Sequence, residues 1–62
     1  MMTTKTYYIQ NTSDLDVALA KISNDYPSAI QREFIEMDYS EIEITARTID
    51  VKSIEKILAP LV

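Results

Sequence analysis

The stretch Glu41-Ile42-Glu43-Ile44-Thr45-Ala46-Arg47 constrains this chain more than any other. Apolar and polar residues alternate in it without a fault. Ile42, Ile44 and Ala46 point one way, and Glu41, Glu43, Thr45 and Arg47 the other. A period of two marks a strand with one face in a core and one face free of it. Upstream, Ile30 to Met37 is a second extended run, so Ile30–Arg47 reads as a hairpin folded back at Asp38-Tyr39-Ser40. Whatever else the chain forms has to cover the face that carries Ile42 and Ile44.

The residues before the hairpin supply a strand and a helix. Thr4–Gln10 is rich in β-branched and aromatic residues, with Tyr7 and Ile9 on one side and Thr6, Tyr8 and Gln10 on the other. From Ser13 to about Asn24, Leu15, Ala18, Leu19 and Ile22 repeat at helical spacing and make one apolar stripe. Ser13 is placed to cap this helix, with Asp16 completing a capping box, and Tyr26-Pro27 stops it. After the hairpin, Val51, Ile54, Ile57 and Leu58 form the stripe of a second helix. Asp50 stands at its N-cap position and Pro60 at its end.

The register of Ile30–Met37 has two solutions. Either Ile30 and Phe34 face the core with Arg32 and Glu36, or Ile35 and Met37 do so with Gln31 and Glu33. A shift by one residue exchanges the faces. The larger apolar load of Phe34 favours Ile30 and Phe34 inside, which sets Ile35 and Met37 on the outer face.

The element order β-α-β-β-α over residues 1–62 is that of a single small α+β domain. It resembles the first five elements of the ferredoxin-like split β-α-β fold. The resemblance is in the order of elements and includes no sequence motif. It implies a three-stranded sheet in spatial order 1-3-2 with both helices on one face. Pro60-Leu61-Val62 are too few for a fourth strand. The first strand then becomes an edge, and Thr6, Tyr7, Tyr8 and Ile9 offer a seam for a homodimer.

Composition narrows the function classes. With no His and no Cys, the usual neutral-pH base and the soft metal ligands are missing. With no Gly, no phosphate-cradling loop of the Walker or dinucleotide kind is present. The expectation is a protein without enzymatic activity, cofactor or metal. Ten carboxylates against six Lys and Arg argue against direct nucleic-acid binding and fit a protein partner with a basic surface. No apolar run approaches the ~18 residues of a membrane span, and Met1–Thr6 lacks a signal peptide's features. A soluble cytoplasmic protein is expected.

The expected function is a non-catalytic interaction module, a regulator, adaptor or inhibitor, of the kind phages and mobile elements encode. Its binding surface would be the open sheet face and hairpin tip, with Tyr8, Ile35, Met37, Tyr39, Glu41 and Glu43. Tyrosines are common binding anchors. Two alternatives are kept. An acidic row of Glu33, Glu41 and Glu43 could mimic nucleic acid and inhibit an enzyme that binds it. A regulatory dimer could hold a small ligand at its interface.

Overall fold

The computed structural model describes all residues from Met1 to Val62. Its strands are β1 (Met2–Gln10), β2 (Ile30–Ile35) and β3 (Tyr39–Arg47), and its α-helices are α1 (Ser13–Asp25) and α2 (Val51–Leu58). The sheet has the order β1-β3-β2. Both outer strands run antiparallel to β3, and so parallel to each other. The architecture is the α+β arrangement with order 1-3-2 that the element order implies. It is consistent with a ferredoxin-like assignment without the fourth strand.

The alternation in β3 holds along its whole length. Ser40, Ile42, Ile44 and Ala46 are buried, and the residues between them are not. On β1, Ile9 joins the buried set and Tyr7 packs against it. The helices close this face from above. Leu15, Ala18, Leu19 and Ile22 of α1 and Ile54 and Leu58 of α2 complete a ten-residue core. Val51 and Ile57, the outer members of the second stripe, are half-buried. Helix α1 reaches β2 through Gln31, whose Nε2 donates to the Leu19 carbonyl at 3.1 Å and to Ser23 Oγ at 2.9 Å. Helix α2 reaches β1 through an ion pair of Lys5 Nζ with Glu55 Oε1 at 2.7 Å. Neither helix is long and apolar enough to cross a membrane.

Several local expectations are corrected. The cap of α1 is Thr12, whose hydroxyl accepts from the Leu15 amide at 3.3 Å, so Ser13 is already helical and no box with Asp16 forms. Asp50 does not cap α2. It ends a 3-10 turn, Thr48–Asp50, with helical backbone, and its carboxylate accepts instead from Arg47 Nε at 2.9 Å. Pro60 falls in a second 3-10 turn, Ala59–Leu61, and no strand follows it.

The hairpin turns earlier than Asp38-Tyr39-Ser40. Ile35 pairs with Ser40, and the Glu36 amide donates to the Tyr39 carbonyl at 2.9 Å, so the connection runs through Glu36, Met37 and Asp38. No residue of the chain has a positive φ. The favoured two-residue hairpin turns, types I′ and II′, need one, so neither of them makes this bend. Asn11 holds the loop in place. Its amide donates to the Asp38 carbonyl at 2.9 Å, its Nδ2 to the Glu36 carbonyl at 3.0 Å, and its Oδ1 accepts from the hydroxyl of buried Ser40.

The register of β2 is the opposite of the expected one. Residues directly opposite in an antiparallel pair share a face. Ile30, Arg32 and Phe34 lie across from Thr45, Glu43 and Glu41, on the face without helices. Gln31, Glu33 and Ile35 lie across from Ile44, Ile42 and Ser40, on the helix side. Ile35 is nevertheless 72% exposed, with an open hollow between it and the start of α1.

Candidate functional site

The helix-free face is assembled from alternate residues of all three strands. Across β3, Tyr8 and Phe34 stand opposite Glu41 on its two sides, and Thr6 and Arg32 stand opposite Glu43. Next to them, Gln10 faces Tyr39, while Thr4 and Ile30 flank Thr45. Five large side chains of this face are exposed, namely Met2, Tyr8, Ile30, Phe34 and Tyr39. Tyr8 is 61% exposed and Ile30 59%, against 0% for Ile42 on the opposite side of the same sheet.

Of the residues expected to bind a partner, Tyr8, Tyr39, Glu41 and Glu43 are brought together. Ile35 is on the other face, and Met37 projects from the hairpin loop at 97% exposure, outside the sheet. Tyr39 opens β3 and does not cover Met37. Its ring lies 6.4 Å from that of Tyr8, tilted by 57°, within the range of favourable aromatic pairs. Phe34 and Ile30 join the face instead of Ile35. The alternation of β2 contains both possibilities, and only the pairing with β3 selects one.

Charges on this face are unequally matched. Arg32 places its guanidinium carbon 5.3 Å from the centre of the Phe34 ring and Nη1 3.6 Å from Glu43 Oε1. Arg47 is held by Asp50. Glu41 takes part in none of the four ion pairs of the chain. Glu33 is on the helix side, so a row with Glu41 and Glu43 is not formed. At the far end, hydroxyls close the sheet, with Thr4 and Thr45 bonded at 2.7 Å and Thr3 and Thr48 at 2.7 Å.

The outer edge of β1 is the second candidate. Thr6, Tyr7, Tyr8 and Ile9 lie in a nine-residue strand paired on one side only. Its single charged residue, Lys5, is drawn onto Glu55 of α2, so it does little to guard the edge. Glu55 takes part in two titrations. Lys5 beside Glu55 holds that carboxyl below its ordinary value. Burial, and then the charge and hydrogen bond of Glu55, push the Tyr7 hydroxyl up to about 12.

The concave parts of the molecule are elsewhere. A groove of about 390 Å³ runs between α1 and α2 beside Val17, Lys21, Lys56 and Ile57. A polar hollow of about 420 Å³ lies between the start of α1 and Glu33 and Ile35. No group of three or more acidic side chains converges to hold a metal ion. No family model, curated protein or solved structure matches this chain.

Proposed function

We propose that this protein is a non-catalytic interaction module, acting as a regulator, adaptor or inhibitor, that binds another protein through its helix-free sheet face. The observation that carries this reading is the group of exposed Tyr8, Phe34 and Tyr39 around Glu41 at one end of this face, with exposed Ile30 and Met2 farther along it. Large apolar side chains gathered on one surface mark contact sites, and aromatic residues are enriched at the centres of such contacts. Small ligands favour enclosed clefts. The molecule's grooves are on the helix side, away from this cluster.

The test is affinity capture from the native host, comparing the wild type with Tyr8→Ala/Phe34→Ala and with Met37→Ala, each shown folded by circular dichroism. The expected result is a protein retained by the wild type and by Met37→Ala and lost from the double variant. Capture of nothing above the bare support removes the reading. Retention by the double variant, or loss from all variants alike, moves the contact off this face.

A second reading concerns self-association and rests on the unguarded β1 edge. Two copies pairing antiparallel through Thr6–Ile9 would join their sheets into one of six strands, with a two-fold axis between them. Light scattering after size exclusion should then give a dimer for the wild type. Thr6→Lys, which sets like charges near the axis, should give a monomer. A wild type that is monomeric at every concentration excludes the seam.

A further inference from the structure

The open face already contains one complete cation site, filled by the chain itself. Arg32 lies over Phe34, with Glu43 3.6 Å from its guanidinium. An aromatic face and a carboxylate acting together hold a guanidinium more firmly than either alone, since the ring quadrupole and the negative charge attract the same group. Glu41 has the second half of such a site without the cation.

Its surroundings are aromatic on three sides. Tyr8 and Phe34 are its direct neighbours on β1 and β2, at the spacing where side chains across strands touch. Tyr39 is the next residue on the same face of β3, with its ring against Tyr8. On the fourth side Glu43 has Arg32 to offset it. Glu41 is half-buried among these rings and has no ion-pair partner. A carboxylate outside every ion pair of the chain, with Tyr8 and Tyr39 beside it and with Phe34 already carrying Arg32 over its ring, is complementary to a cation on a flexible stem. Its aliphatic part can pack on the rings while its charged head meets the carboxylate.

We infer that Glu41, with Tyr8, Tyr39 and Phe34 around it, is the seat for a Lys or Arg side chain presented by the protein partner. The inference rests on the proposal that this face binds a protein, and it names the chemistry at the centre of that contact. It also gives the charge of the chain a specific place. Of the two carboxylates on the face, Glu43 is engaged internally and Glu41 remains for the partner.

The test uses a defined probe, an acetylated and amidated Gly-Arg-Gly-Arg-Gly peptide, titrated into isotopically labelled protein and followed by NMR. The control peptide has citrulline for arginine, with nearly the same shape and no charge. The expected result is saturable shifts at Tyr8, Phe34, Tyr39 and Glu41 with the arginine peptide and none with citrulline. Glu41→Gln should weaken binding about tenfold, as expected for loss of a charge-assisted contact. Glu33→Gln, on the other side of the sheet, should leave binding unchanged. Tyr8→Leu, which keeps an apolar side chain but removes a π face, should also weaken binding. Equal shifts with both peptides, no shifts at all, or unchanged binding by folded Glu41→Gln would overturn the inference. A protein captured equally by wild type and Glu41→Gln, yet lost from Tyr8→Ala/Phe34→Ala, would leave the interaction module standing and remove the cation seat. Arginine-peptide binding at Glu41 with no protein captured would do the reverse.

Discussion

The two faces of one sheet have nearly opposite characters. On the covered face, β3 contributes Ser40, Ile42, Ile44 and Ala46, all buried under two helices. On the open face, the same strand contributes Tyr39, Glu41, Glu43 and Thr45, and its neighbours add exposed Tyr8, Ile30 and Phe34. Both faces have large apolar side chains, yet only one has the packing that turns them into stability. The open face is therefore where side chains can be exchanged without losing the fold, and where a partner can gain by covering them.

The largest effect should come from the covered face. Ile42→Ala removes a fully buried side chain at the middle of the central strand, at a cost of about 2–5 kcal/mol. A chain of this size has only about 3–9 kcal/mol in total. Urea denaturation should show Ile42→Ala unfolding at a much lower midpoint than the wild type, and a wild-type-like midpoint would break the contrast. A smaller effect is expected at the hairpin staple. Asn11→Ala leaves the Ser40 hydroxyl buried without its acceptor and frees the Glu36 carbonyl. The cost should be about 1–3 kcal/mol, read as a lowered urea midpoint with cooperative unfolding retained.

The smallest effect tests how closely α2 covers β1. Tyr7 is raised from 10.0 to about 12 by burial and by Glu55. A group raised on folding contributes stability that is present below its unfolded value and lost as pH rises through its folded one. Stability should therefore fall as pH rises from 10 toward about 12. In a tyrosinate absorbance titration, one of the four tyrosines should ionise late. Tyr7→Phe should remove that late phase, and Glu55→Gln should bring it to lower pH. If all tyrosines of the folded wild type ionise together, the β1–α2 contact is looser than described.

How much of this was legible in the sequence depended on burial. The faces of β3 could be assigned because a helix-covered strand with one open side has to alternate, and Glu41–Arg47 does. The stripe of α1 was legible for the same reason, and all four of its residues are in the core. The register of β2 is not legible, because neither of its faces is buried. Ile30, Phe34 and Ile35 are all exposed, so the size of an apolar side chain said nothing about where it points. Its register is set instead by pairing with β3 and by the Gln31 bonds to α1, which a pattern of hydrophobicity does not contain. That pairing brings Phe34 into the open face and takes Ile35 out of it. Tyr8, Glu41 and Glu43 were legible because they belong to strands whose other face is committed to the core, whereas Tyr39, expected in the turn, opens β3. The unpaired state of Glu41 was not legible, since it depends on where Arg32 goes.

The division between the faces can be tested in one denaturation experiment. The triple variant Tyr8→Ala/Phe34→Ala/Tyr39→Ala strips the aromatic cluster from the open face and leaves every core residue in place. Cross-strand pairs of this kind are worth about 0.2–1 kcal/mol each. The triple variant should therefore remain folded, unfold cooperatively in urea, and lose less stability than the single change Ile42→Ala. An open-face triple variant that is unfolded, or less stable than Ile42→Ala, would show that these aromatics hold the fold together and are not kept free for a partner.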